Sequence, residues 1–230
     1  MTYLHYSFDL WYTLIRSNPE FKITRAKYFY EKYNFSGISL DDVKSIFRQI
    51  DLMSNVINQK TGRNLTSVEM YLMVIYLMNQ DEKIVNQIDL IELDTIMEEI
   101  FLKYPASLFD SNTYRVLNEL KEKNKSLSIL SNTAFIKGRT LRLLLKMLNV
   151  DQLFDFQIYS DELGFSKPDK YIFQTLHQNV NKLWNYLMPN KNIIHIGDNI
   201  LADSNGAALY GIDALIINTN NQTILKVLDL

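Results

Sequence analysis

Cysteine is absent from this 230-residue chain. Disulfides and thiol nucleophiles are therefore excluded, and a reducing, cytoplasmic setting is the expectation. Glycine and proline are scarce, at seven and four residues, far below the content of a disordered or collagen-like chain. An excess of either charge is also lacking. The 24 Lys and Arg stand against 26 Asp and Glu, a formal charge of −2. A nucleic-acid-binding face carries a strong basic excess, so no nucleic-acid partner is expected. Long apolar runs are missing. The most apolar stretch, MYLMVIYLM at 70–78, is too short to cross a bilayer and carries Tyr71 and Tyr76. It reads as a buried helix, and no membrane partner is expected. The opening residues, MTYLHYSFDL, place no charged segment before a long apolar run, so no signal peptide is expected.

What is present is an ordinary globular composition, 47% hydrophobic and 22% charged. Four short apolar runs read as strands: LHYSFDL at 4–10, LSIL at 127–130, IIHI at 193–196 and ALII at 214–217. Continuous apolar runs of this length suit strands of a parallel sheet covered on both faces. Helical patterns lie between them, at 111–123, 139–148 and 169–179, the last with Pro168 as a first-turn residue. Ser111 and Asn112 are cap candidates for the first of these. This alternation argues for an α/β fold with a Rossmann-like parallel sheet. Residues 17–104 differ. They read as helices at 21–33, 40–58, 67–78 and 88–104, with connections containing Gly37 and Gly62. The expectation is an α/β core of residues 1–16 and 105–230, with an all-helical block of residues 17–104 inserted after the first strand. Tyr28, Tyr30, Met70 and Met73 read as core of that block.

In open α/β sheets, ligands bind beyond the carboxyl ends of the strands. Asp9 follows the first strand; Ser131, Asn132 and Thr133 follow the second; Asp198 and Asp203 follow the third. Lys167, in GFSKPD, precedes the last helix before that third strand. Singly, these are ordinary cap and turn residues. Together they put carboxylates, a hydroxyl, an amide and a cation on one edge of one sheet.

The ordered set resembles the haloacid dehalogenase-like (HAD) hydrolase superfamily. The first motif of that family, commonly D-x-D-x-T, reads here Asp9-Leu10-Trp11-Tyr12-Thr13. Its second, a Ser or Thr ending an apolar strand, is Ser131. Its third, a Lys, is Lys167. Its acidic fourth is Asp198 and Asp203, in IIHIGDNILADSNGA. The helical block falls where the subclass I cap of the family is inserted. The resemblance implies that Asp9 is a nucleophile forming a covalent intermediate. It implies Lys167 as its catalytic partner, and Thr13, Ser131, Asn132 and Lys167 as substrate or phosphate-binding residues. It further implies a hard divalent cation, Mg²⁺, held by Asp9, the Trp11 backbone carbonyl, Asp198 and Asp203, the last directly or from behind. The substrate would be a small phosphorylated molecule.

One position departs from the pattern. Phosphatases of the family carry a second Asp where Trp11 stands, acting as general acid and base. An indole has an N–H donor and no useful pKa. The 2-haloacid dehalogenases of the family resemble this chain in having an aromatic residue there and an Asn after the second-motif Ser. They need no metal, yet the acidic fourth motif is present here. The sequence thus predicts a Mg²⁺-dependent phosphohydrolase with an atypical acid–base step. The alternatives are a metal-independent dehalogenase-like hydrolase or a catalytically impaired binding protein.

Overall fold

The computed structural model describes residues 3–230. In chain order these form β1 (His5–Phe8), β2 (Ile15–Arg16), α1 (Pro19–Lys32), α2 (Leu40–Thr61), α3 (Ser67–Asn79), α4 (Glu82–Val85), α5 (Leu90–Lys103), β3 (Ser107–Leu108), α6 (Thr113–Glu122), β4 (Ser126–Ser131), α7 (Gly138–Met147), β5 (Phe156–Tyr159), α8 (Ser160–Leu163), α9 (Lys170–Trp184), β6 (Ile193–Gly197), α10 (Gly206–Tyr210) and β7 (Asp213–Ile216). A π-helix, Ile200–Asn205, joins β6 to α10.

Five strands form one parallel sheet in the order β5-β4-β1-β6-β7. Every residue of β1, β4 and β6 is buried. Helices cover both faces of these central strands, which is why their sequences do not alternate. The sequence reading had no strand at β5. Its FQIY run is half-buried at its start and stands at the sheet edge, so it lacks the continuous apolar character of the others. Pro168 is also not a first-turn residue: Asp169 caps α9, its side chain accepting from the Tyr171 N–H, and Pro168 precedes that cap. Asn112 stands at the start of α6 but makes no side-chain cap bond.

The helices α1–α5 all lie between β2 and β3. Local signals set their ends. Asn18 caps α1 with Pro19 next to it. Ser39 with Asp42, and Thr66 with Glu69, form reciprocal capping boxes on α2 and α3. Gly62 ends α2 at φ 71, a left-handed conformation that glycine adopts without a Cβ penalty. These helices close on a core of their own that includes Phe29, Phe47, Ile50, Met70, Tyr71 and Val74. Tyr28 and Met73 pack at its margin, whereas Tyr30 is exposed, pointing off the apolar face of α1.

Two of the seams between the helical layer and the sheet domain are made by backbone hydrogen bonds. At the first, β2 and β3 pair antiparallel, Ile15 opposite Leu108 and Arg16 opposite Ser107, so the chain leaves and re-enters the sheet domain side by side. At the second, the turn after α2 docks on the loop leading to Lys167. Asn64 N–H donates to the Gly164 carbonyl (3.2 Å), and Ser166 N–H donates to that of Gly62 (3.0 Å). The Asn64 side-chain oxygen accepts from the hydroxyls of Ser160 (2.7 Å) and Ser166 (3.1 Å).

Candidate active site

Because β1, β4 and β6 run parallel, their carboxyl ends gather Asp9, Ser131 and Asp198 at one edge. The backbone after Asp9 turns sharply, with Tyr12 at φ 58. Its hydrogen bonds tie Leu14 and Ile15 N–H to the Leu10 carbonyl and Tyr12 N–H to that of Ile15. From the far side of the sheet, the Asn218 amide donates to the carbonyls of Tyr12 (2.8 Å) and Thr13 (3.1 Å). Asn218 thus braces the loop, a contact that no local sequence feature announces.

Asp9 is buried. Its Oδ1 accepts from Lys167 Nζ (2.7 Å) and Ser131 Oγ (3.3 Å), and its Oδ2 from the Thr13 hydroxyl (3.2 Å). Lys167, also buried, donates to Asp203 Oδ1 (2.6 Å) as well. Asp203 Oδ1 takes a further bond from His195 Nε2 (3.1 Å), and Asp203 Oδ2 accepts from the Asn199 N–H (2.9 Å). A carboxylate only accepts when ionised, so His195 carries its proton on Nε2 and its Nδ1 accepts from Ser7 (3.0 Å). Burial, followed by the Lys167 charge, pushes the His195 pKa down and keeps the ring neutral. A histidine inside an apolar strand such as IIHI was the available signal for this contact.

Gly197 leaves room for this arrangement. A Cβ there would stand 2.1 Å from the Asp203 carboxylate, so only glycine lets Asp203 fold back beneath the strand end. Asn132 has a different neighbourhood from the other site candidates. Its amide oxygen accepts from the Lys167 N–H (2.7 Å) and its nitrogen donates to the Lys167 carbonyl (2.9 Å). It spans the backbone of the lysine rather than touching Asp9. The Trp11 indole is half-buried and meets Phe101 of α5 edge-on at 6.3 Å.

Asp9, Asp198 and Asp203 each offer an oxygen within 4.8 Å of the other two. The electrostatics reflect the crowding. Burial, then the charges of Asp9 and Asp203, raise the Asp198 carboxyl to about 7. Burial also raises Asp9 against the pull of Lys167. Asp203 is lowered: burial pushes it up, but the Lys167 charge and the His195 hydrogen bond outweigh that. Three carboxylates facing one another around a single lysine form an oxygen donor set suited to a hard divalent cation.

The sequence matches the haloacid dehalogenase-like hydrolase family over residues 7–217, and the chain belongs to that family. Among solved structures it is similar to the HAD-hydrolase YfnB of Bacillus subtilis bound to magnesium, at a TM-score of 0.70 and 18% identity, covering 96% of this chain and 92% of that one. It is similar to a HAD phosphatase from Thermococcus onnurineus at 0.67 and 20%, covering 100% and 97%. The L-2-haloacid dehalogenase of Xanthobacter autotrophicus, with chloropropionic acid covalently bound, matches at 0.59 and 15%, covering 94% and 78%. At these identities the likeness is one of fold. No curated protein matches the sequence.

Proposed function

We propose that the protein is a Mg²⁺-dependent phosphohydrolase acting on a small phosphorylated molecule through Asp9. The observation that carries this reading is the convergence of Asp9, Asp198 and Asp203 within 4.8 Å, since Asp198, the one of the three with neither the nucleophile's role nor a bond to Lys167, gains a use once a cation is held. Asp9, Asp198 and the Trp11 carbonyl would hold the cation. Asp203 already accepts three hydrogen bonds, so it acts from behind, fixing Lys167. When bound, the cation offsets the repulsion between the carboxylates and the incoming phosphoryl group and stabilises charge on it. An Asp9 oxygen attacks phosphorus, the P–O bond to the leaving group breaks, and the leaving oxygen departs with the electron pair. Water then attacks the aspartyl phosphate, releasing phosphate and restoring the carboxylate. Lys167 and Ser131 donate to the phosphoryl oxygens. With an indole at position 11, no side chain there protonates the leaving oxygen, so aryl and acyl phosphates should outrun alkyl esters. General acid–base assistance is worth roughly 10²–10⁴-fold in typical cases.

The test is a screen of phosphate esters with Mg²⁺ and with EDTA, run beside Asp9→Asn. Turnover that needs Mg²⁺ and vanishes in Asp9→Asn supports the proposal. Full activity in EDTA removes its metal. Trp11 favours a second reading, a dehalogenase-like hydrolase in which halide leaves without a proton. Halide release from 2-haloacids in EDTA would establish that reading in place of the first.

A further inference from the structure

Phe135 belongs to one domain by sequence and to the other by packing. It lies in the loop between β4 and α7, four residues after Ser131. Yet its ring is buried, at 6% exposure, in the core of the helical layer. Among the described residues it is the one buried member of that core from outside residues 17–104. The next residue, Ile136, is buried in the core of the sheet domain. Two neighbouring side chains thus enter two different cores.

The socket that receives the ring is built from three helices. Tyr71 of α3 stands 5.0 Å away and Phe47 of α2 5.4 Å, ring centre to ring centre. The Arg25 guanidinium of α1 covers the ring at 4.3 Å and also lies 4.1 Å from the centre of Phe47. The Tyr71 hydroxyl donates to the Phe135 carbonyl (2.9 Å), so the backbone is gripped together with the ring. Ring pairs and cation–π contacts both depend on orientation. The socket therefore sets where Phe135 sits, beyond covering it.

The same loop carries part of the candidate active site. Ser131 Oγ reaches Asp9 at 3.3 Å. Asn132 bonds the N–H and the carbonyl of Lys167, at 2.7 and 2.9 Å. Thr133 N–H donates to the Ser160 hydroxyl (2.8 Å). At the loop's far end Lys137 pairs with Asp94 of α5 (2.7 Å). Four residues span at most roughly 14 Å, and Asn132 and Thr133 within that span are already bonded. Little slack is left to absorb a shift of Phe135.

We propose that Phe135 is a positioning residue, which ties the seating of the helical layer to the aim of Ser131 at Asp9. With the ring in its socket, the loop holds Ser131 against the nucleophile and Asn132 against Lys167. When the helical layer shifts, the loop is released and both contacts loosen. The seated state leaves Arg25 Nε without a hydrogen-bond partner, a cost that release into water relieves, so the contact is reversible. The reaction that Phe135 serves rests on the phosphohydrolase reading; the tie between socket and loop does not.

The test has two arms. The first is steady-state kinetics on p-nitrophenyl phosphate with Mg²⁺, for wild type, Phe135→Leu, Ser131→Ala and the double variant. A misplacement of about 1 Å can cost roughly 10²-fold, so Phe135→Leu should lower kcat by roughly tenfold while KM moves by less than about twofold. Residues that act as a unit are not additive, so adding Phe135→Leu to Ser131→Ala should change kcat by less than about twofold. Losses that multiply, or a Phe135→Leu protein that is less stable to urea with kcat unchanged, would overturn the proposal. The second arm is amide hydrogen exchange, which needs no turnover. Thr133 and Lys167 N–H should exchange roughly tenfold faster in Phe135→Leu, relative to β1 amides that report global unfolding. Lys167 is far from Phe135 in sequence and outside the helical layer. Faster exchange confined to α1, α2 and α3 would mean that Phe135 only packs, and would likewise overturn the proposal. If wild type turns over no phosphate ester, the phosphohydrolase reading fails by itself and exchange alone decides the tie. Tyr71→Phe removes the bond to the Phe135 carbonyl and keeps the ring. It stands in if Phe135→Leu does not fold, with the same readings in the same direction.

Discussion

The Trp11 indole is part of an aromatic wall. It leans on Phe101, which leans on Phe21, so the position usually held by an acid continues an aromatic surface from α1 and α5 down to the sheet edge. In Trp11→Asp the new carboxyl would join Asp9, Asp198 and Asp203, and like charges raise a carboxyl pKa, as an acid catalyst requires. The expected outcome is faster hydrolysis of alkyl phosphates by roughly 10²-fold or more, with little change for p-nitrophenyl phosphate. Steady-state rates on the two ester types check it, and an unchanged alkyl rate would mean that more than the acid is missing. Asp198 supports a second expectation. Its carboxyl, raised to about 7 without metal, holds a proton below that pH, and cation binding must expel it. Mg²⁺ affinity should then climb with pH up to about 7 and level off above it, by up to tenfold per unit on the acid side. Calorimetry at pH 6 in buffers of different ionisation enthalpy should count about one proton released, and Asp198→Asn should abolish both release and pH dependence. The positions of Asp9, Ser131 and Asp198 were legible because polar residues at the ends of apolar runs mark the open edge of a parallel sheet, and those of Lys167 and Asp203 through the order of the motifs. The partners Asn199 and Asn218 were not, because each matters only through a contact that folding creates, and His195 left only the signal of a histidine inside an apolar strand.

Lys167 is delivered by a loop, and that loop is gripped from both domains. Asn132 holds its backbone from the sheet side through two hydrogen bonds. From the helical side, Asn64 accepts the Ser160 and Ser166 hydroxyls, while Arg63 lies over the Phe165 ring at 4.3 Å. Gly62 adds a steric condition: a Cβ there would meet the Asp169 carboxylate at 2.3 Å, and its φ of 71 already demands glycine. Asn64→Ala leaves the Ser166 hydroxyl without its acceptor and Ser160 with Thr133 Oγ1 (3.1 Å) alone, a cost of about 1–3 kcal/mol if the Ser166 hydroxyl stays buried. The expected result is a lower urea midpoint together with a fall in kcat that exceeds any rise in KM, since the lysine loosens before the substrate is lost. A variant that is destabilised yet keeps full kcat would show that the turn only holds the domains together. This element also marks the limit of reading from sequence. GRNL and GFSK are ordinary turn signals, each correctly placed as a connection, and nothing in either announces the other. The edge strand β5 escaped for a related reason: its first two residues, Phe156 and Gln157, are only partly covered, so the run never becomes continuously apolar.

At the scale of the molecule, an ionic network ties the helical layer to the sheet domain, and parting the two would break it. On α5, Asp94 pairs with Lys137 (2.7 Å) and Arg139 (2.8 Å), while Glu98 pairs with Arg139 (3.1 Å) and accepts the Thr140 hydroxyl. The basic partners flank the start of α7, on the other domain. The acids are about a fifth to a quarter exposed, at 19% and 27%, so each pair is worth only about 0.2–1 kcal/mol. Because Asp94 and Arg139 each serve two partners, the network totals on the order of 1.4 kcal/mol, or about tenfold in the closed-to-open ratio. Replacing both acids, Asp94→Asn with Glu98→Gln, should enlarge the radius of gyration by small-angle scattering and speed proteolytic nicking at the 15–16 and 107–108 crossing. Salt gives the independent check. At about 1 M the screening length falls to roughly 3 Å, so wild type should shift toward the open form while the double variant, having lost its screened pairs, should barely respond. Equal salt responses in the two proteins would place the closing force elsewhere, at the hydrogen bonds around Asn64 and the packing of Phe135 among the cap aromatics.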